Sequence, residues 1–168
     1  VFEPKERLIM ALPFYDRVIQ HMIVNVIEPI FNKRFITHSY ACRTEKGVHE
    51  ASNTLARWLY NLQVKQGKKI YAIKADVHHY FQSIDHEILK AEVRRYISDK
   101  RVLKLIDYVI DHNGIYPEGK GIPVGNLTSQ LFANVYLNIL DQYIKHELGV
   151  RYYIRYMDDF ILIHPDKE

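Results

Sequence analysis

Two adjacent carboxylates, Asp158 and Asp159, stand between apolar runs of β type: Tyr152-Tyr153-Ile154 before them and Phe160-Ile161-Leu162-Ile163 after. This is the pattern of a tight hairpin with acids at its tip. Like charges so close raise each other's cost of ionising, and a divalent cation removes that cost. The pattern therefore points to metal-dependent chemistry, most naturally on phosphate esters. An isolated Asp-Asp pair is commonly a solvated turn; a third acid sharpens the reading here. The spacing predicts a strand from Ile70 to Val77, with Tyr71, Ile73, Ala75 and Val77 on one face and Lys74 and Asp76 on the other. If that strand pairs with the hairpin, Asp76, Asp158 and Asp159 converge. Oxygen-only ligands suit Mg²⁺, which keeps some waters and shares its shell with substrate phosphates.

The 168 residues, 48% of them hydrophobic, suffice for one domain or for two small subdomains sharing a cleft. No apolar run approaches the roughly 18 residues that a membrane span needs. No secretory leader opens the chain, which starts Val1-Phe2-Glu3-Pro4-Lys5 without Met, as a piece of something longer would. Cys42 is the single cysteine, so no internal disulfide forms; a reducing compartment is expected, with Cys42 a small core residue. The net charge of +3 is unevenly spread: residues 1–74 carry 12 Lys/Arg against 6 Asp/Glu, and the remainder 11 against 14. A basic first part and an acidic second suit a nucleic-acid surface beside a metal site, although two solvated faces would give the same asymmetry.

Helices are predicted over residues 14–30 and 45–66, the first from Val18, Met22, Val26 and Ile30 with Ile19, Ile23 and Ile27 alongside, the second from Ala51, Leu55, Trp58, Leu59 and Leu62. Two more are predicted at about 85–97 and 99–112, then a turn at Asn113-Gly114, a glycine-rich loop over 118–126, and a long helix over about 127–147 that stops at Gly149. The order indicates an α+β fold with helices on one face of a small antiparallel sheet. His78-His79 are read as non-ligands, since neighbouring strand residues point to opposite faces.

The chain resembles the fingers and palm of a reverse transcriptase, nearly end to end. Tyr156-Met157-Asp158-Asp159 is similar to that family's signature tetrapeptide, and Asp76-Val77-His78-His79-Tyr80-Phe81 with Ile84-Asp85 to its first acidic motif. Arg7, the run Leu12 to Gln20, Ser39-Tyr40-Ala41-Cys42-Arg43 and His49-Glu50-Ala51 resemble the fingers of bacterial retroelement enzymes. The resemblance implies a polymerase palm over 70–168 after a mainly helical, partial fingers region over 1–69. It implies RNA-directed DNA polymerase activity, with Asp76, Asp158, Asp159 and the Val77 backbone carbonyl holding two Mg²⁺ ions, Mn²⁺ being able to substitute. It makes Phe81 a steric gate against a ribose 2′-hydroxyl, sets Lys5 and Arg7 on the incoming triphosphate, and places Arg43 on template phosphate or on a fingers carboxylate. Tyr156 and Met157 would pack at the primer end. Lys74 would touch nucleic acid or balance the carboxylates.

The segment Gly121-Ile122-Pro123-Val124-Gly125-Asn126-Leu127-Thr128-Ser129-Gln130 narrows the resemblance. Many reverse transcriptases, including those of group II introns, carry Gln at the position of Val124 and Pro at that of Gln130. The Val-Gly-x-x-x-Ser-Gln pattern is similar to that of diversity-generating retroelement enzymes, and Leu131 to Asn138 also fits that group. In such enzymes Val124 and Gly125 would line the nucleotide site, and error-rich cDNA would be made from an RNA template and DNA primer with deoxynucleoside triphosphates. A small basic accessory protein would assist, and the enzyme would be bacterial or phage-encoded and work in the cytoplasm. Three rivals differ from this: a group II intron-type enzyme of ordinary fidelity, a nucleic-acid-binding scaffold that does not polymerise, and a palm-type nucleotide cyclase. The first is at odds with Val124 and Gln130, the second with the clustered acids, and the third does not need the motifs before residue 52.

Overall fold

The computed structural model describes residues 12–67, 69–112 and 116–165. Lys5, Arg7, Lys68 and the Asn113-Gly114 turn lie outside the described residues. In chain order the elements are α1 (Phe14–Asn32), α2 (Val48–Leu59) continued by a π-helical turn (Tyr60–Lys65), and β1 (Tyr71–Asp76). Then come α3 (Tyr80–Ser83), α4 (His86–Arg94), α5 (Lys100–Asp111), α6 (Leu127–Gln142) with a second π-helical turn (Tyr143–Glu147), β2 (Tyr152–Tyr156) and β3 (Asp159–His164). The fold is α+β, as the order of elements predicts. Its residues form two compact units, each drawing on two stretches of chain: one from the residues up to Ile30 with Phe81–Ala133, the other from Phe31–Tyr80 with those from Asn134 on.

In the first unit, α4 and α5 start at carboxylate caps. Asp85 accepts from the Glu87 and Ile88 amides at 3.0 and 3.2 Å, and Asp99 from those of Arg101 and Val102 at 2.8 and 3.2 Å. Each carboxylate satisfies helix N–H groups that have no intrahelical acceptor. The two helices run beside each other with Lys90 on Asp111 at 2.7 Å and Arg94 on Asp107 at 2.6 Å. Leu89, Val93, Ile106 and Ile110 are buried. The 118–126 loop is tied to the start of this helical pair. The Gly121 amide donates to Ile84 O at 2.7 Å, the Ile122 amide to Phe81 O at 2.9 Å, and His86 Nε2 lies 2.8 Å from Gly121 O. Gly121 sits at φ +78°, and a β-carbon there would run into the Tyr116 ring, so position 121 requires glycine twice over.

The second unit holds the sheet, ordered β1-β3-β2 with both pairings antiparallel. Period-two alternation divides its faces. Tyr153 and Arg155 share one face with Phe160 and Leu162, their cross-strand partners. On that face Tyr153, Ile36 and Ile144 form a core with Leu140, Val150, Phe160 and Leu162 around it. Lys74, Asp76, Ile154, Tyr156, Asp159, Ile161 and Ile163 share the other face. That second face is covered near its base, where α2 meets β2 and the Trp58 and Tyr152 rings lie 5.4 Å apart. The sheet thus carries helix on both faces, where one was expected. The outer edge of β2 is covered too: the Arg155 amide donates to His38 O at 2.9 Å and the Tyr40 amide to Arg155 O at 3.0 Å.

Two local expectations change. Of the apolar residues that predict α1, Val18, Ile19, Met22, Val26 and Ile30 are exposed, and Ile23 and Ile27 face inward with Val24 and Phe31. Cys42 is exposed and left-handed (φ 52°), not a core residue. Replacing Asp85 or Asp99 by Ala removes a cap, and each change is expected to lower stability by about 1 kcal/mol in urea denaturation.

Candidate active site

The register of the sheet decides which acids meet. Asp76 at the end of β1 pairs with Asp159 at the start of β3, and Asp159 pairs in turn with Tyr156 at the end of β2. Asp76, Asp159 and Tyr156 therefore form one rung at the tip of the sheet, on the face opposite Arg155. Directly opposed residues hold their β-carbons about 4.5–5.5 Å apart, and like charges so placed destabilise the pair. Lys74, two residues before Asp76 on the same face, offsets part of this with its Nζ 3.8 Å from Asp159 Oδ1. Of its two expected roles, this contact is the balancing one. Asp76 and Asp159 are exposed, and Asp158 is half-buried.

Asp158 occupies the second central position of the two-residue turn, after Met157 at φ 55°. Its carboxylate acts on Tyr80: burial pushes that phenol well above its ordinary pKa, with Arg155 opposing and Tyr136, Asp158 and Asp141 reinforcing the rise. The donor set fits a hard cation in kind, being two opposed carboxylates with a third on the adjoining turn. Among the described residues no three His, Cys, Asp or Glu side chains are close enough to hold a metal by themselves. The set thus has the form of one carboxylate pair plus a neighbour, whose shell would be completed by non-protein oxygens. β1 ends at Asp76, so Val77, His78 and His79 lie past the strand, the two His rings 3.9 Å apart.

Arg155, unnoticed as a site residue in the sequence, lies under this tip. Its side chain is 0% exposed. Nε donates to Asp141 Oδ1 at 2.8 Å and Nη2 to Asp141 Oδ2 at 2.6 Å, a bidentate pair. Nη2 also donates to Ser39 Oγ at 3.2 Å, and Nη1 to Asn134 Oδ1 at 3.0 Å and Met157 O at 2.8 Å. Burial works against the charge, but Asp141 overrides it and holds the guanidinium above its ordinary pKa. Tyr153 Oη donates to Asp141 Oδ1 at 2.7 Å, and Asn134 Nδ2 to Ala41 O at 2.9 Å. Two signals were in the sequence: an arginine inside the apolar run Tyr152 to Tyr156, and Asn134, Asn138 and Asp141 at helical spacing within the otherwise apolar stretch from Leu131 to Asp141 of α6.

The remaining expected residues sit as follows. Arg43 locks the end of α1: Nε donates to Asn32 Oδ1 at 2.7 Å, Nη1 to Ile36 O and Ser39 O at 2.8 Å, and the guanidinium lies 5.3 Å from the Phe35 ring centre. These bonds assign it a structural task beside any contact with nucleic acid. Tyr156 is 42% exposed, which leaves its ring available at the tip. Phe81, Val124 and Gly125 belong to the first unit, where the Phe81 carbonyl bonds the loop two residues before Val124. Phe81 and Val124 are both half-buried.

The chain belongs to the reverse transcriptase (RNA-dependent DNA polymerase) family, whose model matches residues 3–168. Among curated relatives, protein YkfC of Escherichia coli (strain K12) is 34% identical over 137 residues, 79% of this chain and 35% of that protein. The group II intron-encoded protein LtrA of Lactococcus lactis subsp. cremoris is 27% identical over 136 residues, 78% of this chain and 22% of that protein. The chain thus spans about a third or less of the length of these relatives. Solved structures share the fold: the apo telomerase of Candida tropicalis superposes with a TM-score of 0.60 at 14% identity, over 90% of this chain and 31% of that one. The Candida albicans telomerase solved with an RNA fragment gives 0.58 at 11%, over 89% and 30%.

Removing Asp141 leaves a fully buried guanidinium without its counter-ion. Asp141→Ala is expected to destabilise the fold by about 3–5 kcal/mol, read as a lowered urea midpoint. Tyr153→Phe, which loses one neutral donor to a charged acceptor, should cost about 1.5–3 kcal/mol.

Proposed function

We propose that this chain supplies the catalytic carboxylates of an RNA-templated DNA polymerase, with 1–69 serving as part of the fingers and 70–168 as the palm. The observation that carries the reading is the Asp76–Asp159 pair, set face to face on an exposed sheet tip with Asp158 one residue away. Asp76, Asp158, Asp159 and the Val77 carbonyl would hold two Mg²⁺ ions, for which Mn²⁺ could stand in. When bound, such ions supply a more acidic primer hydroxyl and charge neutralisation on the leaving pyrophosphate. The residues' own part is to place charge. The primer 3′-oxygen attacks the α-phosphorus of a deoxynucleoside triphosphate, the bond to the bridging oxygen breaks, and pyrophosphate departs. Tyr156 packs at the primer end beside Met157, and Phe81 bars a 2′-hydroxyl. Lys5 and Arg7 clamp the triphosphate, and Arg43 reaches the template. A scaffold that only binds nucleic acid has no use for opposed carboxylates next to phosphates, which repel them.

Within that reaction we propose error-rich cDNA synthesis of the diversity-generating type, with a small basic accessory protein as partner and the cytoplasm as its setting. Val124 supports this, since its side chain offers no hydrogen bond to an incoming nucleotide. Losing one orienting hydrogen bond removes about 1 kcal/mol of discrimination, a few-fold in selectivity. That accounts for general infidelity, while the concentration of errors opposite template adenines that the resemblance to diversity-generating retroelement enzymes implies has some other cause. Likeness to the group II intron-encoded protein favours a second reading, an intron-type enzyme of ordinary fidelity.

Primer extension on an RNA template by the full-length protein, with sequencing of the cDNA, tests both levels. Asp159→Asn is expected to cut extension by about a thousandfold or more while the fold persists, in line with removing transition-state electrostatics of about 4 kcal/mol. Extension near the unsubstituted rate would remove Asp159 from the chemistry. Errors concentrated opposite template adenines select the diversity-generating reading, and sparse, even errors select the intron-type one.

A further inference from the structure

We infer that Arg155 is a positioning residue for the reaction: it tethers the Met157–Asp158 turn through the Met157 carbonyl and so fixes where the Asp158 and Asp159 carboxylates emerge. The inference rests on the proposed role of those carboxylates in holding a divalent cation.

A guanidinium has five N–H donors in a fixed plane, and all of those of Arg155 are used. Four go to Asp141, Asn134 and Ser39, which anchor the group to α6 and to the segment beside β2. The fifth, on Nη1, reaches Met157 O at 2.8 Å. The anchor is rigid because it is fully buried and bidentate. The turn it holds is not relaxed. A positive φ at the first central residue alone is the II′ pattern, which favours glycine, yet Met157 stands there at 55°. A residue with a β-carbon is disfavoured in that region, and such strain persists only where the surroundings over-determine it. Rotating the peptide after Met157 would swing the Met157 carbonyl off Nη1 and re-aim Asp158 and Asp159, the next two residues, so the bond to Nη1 holds that peptide in one orientation. Lysine cannot replace the device, because one ammonium cannot span Asp141 and Met157 with a planar fork.

A purely structural role and a positioning role make different demands. A buried ion pair exchanged as a whole for apolar residues of similar size often leaves stability unchanged or higher. Arg155→Met combined with Asp141→Leu and Tyr153→Phe therefore removes the tether without stranding a charge. Arg155→Lys keeps the charge and loses the fork.

The experiment uses this chain with methyl-¹³C methionine, whose three methionines are Met10, Met22 and Met157. Thermal melting verifies folding of each variant, methyl NMR reads the turn, and Mn²⁺ binding is followed by water-proton relaxation. In folded variants the Met157 methyl signal is expected to shift or broaden while that of Met22 stays, and Mn²⁺ affinity to fall at least fivefold. A folded variant with an unmoved Met157 signal and unchanged Mn²⁺ affinity overturns the tether. The control is Asp76→Asn with Asp159→Asn in the otherwise unaltered chain. If it binds Mn²⁺ as tightly as the parent, the cation reading of the carboxylates fails, and the Met157 signal alone then judges the tether. Should neither Arg155 variant fold, the unsubstituted chain decides. Its spectrum should contain one arginine with slowly exchanging Hη protons close to Met157, and rapid exchange at every arginine Hη overturns the inference.

Discussion

A charge pair with no access to water organises the sheet-bearing unit. Arg155 and Asp141 meet at 2.6 and 2.8 Å with neither side chain exposed. Withdrawing either ion from water costs several kcal/mol, which the bidentate contact and the surrounding hydrogen bonds offset. What the pair adds beyond packing is register. A one-residue slip of β2 against β3 would turn Arg155 to the opposite face, away from Asp141, Asn134 and Ser39, and strand a charge on each side. The register that survives puts Tyr156 opposite Asp159, and the pairing of β3 with β1 then puts Asp76 opposite Asp159. The place of Tyr156 beside Asp159 thus follows from an ion pair on the other side of the sheet, and the β1–β3 register adds Asp76 to the rung.

That separation by faces lets one short sheet hold two incompatible environments. The Tyr153 face is closed by Ile144 and its neighbours and can keep charges only in matched pairs. The Asp76 face is covered at its base and open at its tip, where Asp76 and Asp159 are exposed to water. The alternation of β2 makes the division: Tyr153 and Arg155 go inward to Asp141, and Tyr156 goes outward beside Asp159.

Much of this was legible in the sequence. The hairpin was, because its acids interrupt two β-type runs, and so were the strand carrying Asp76 and the long helix ending near Gly149. Periodicity could not choose the buried side of α1, which is apolar nearly all round. Val18, Met22, Val26 and Ile30 match a stripe as well as Ile23, Ile27 and Phe31 do, and only tertiary packing selects the second set. The structural task of Arg43 was not legible, because its partners are backbone carbonyls and Asn32, groups that leave no pattern in a sequence. Arg155 and Asp141 lie 14 residues apart on different elements, so each looked like a lone polar residue in an apolar run. The pair is visible only once the strand lies on the helix. A charged residue alternating into the buried side of a strand demands a partner, and that demand was the available signal.

The tip also stores two unfavourable terms. One is the positive φ of Met157, and the other is the opposition of Asp76 to Asp159, which the exposed Lys74 relieves only in part because solvent screens it. A cation between the acids would relieve the second term and leave the first untouched. Cation binding and turn geometry are therefore separable: charge attracts the ion, and the backbone decides whether the carboxylate oxygens already stand where it needs them. Preorganisation of this kind reduces the reorganisation required at the moment of reaction. It also explains why a strained, acid-bearing turn would be built on a fully buried, bidentate contact rather than on a flexible loop.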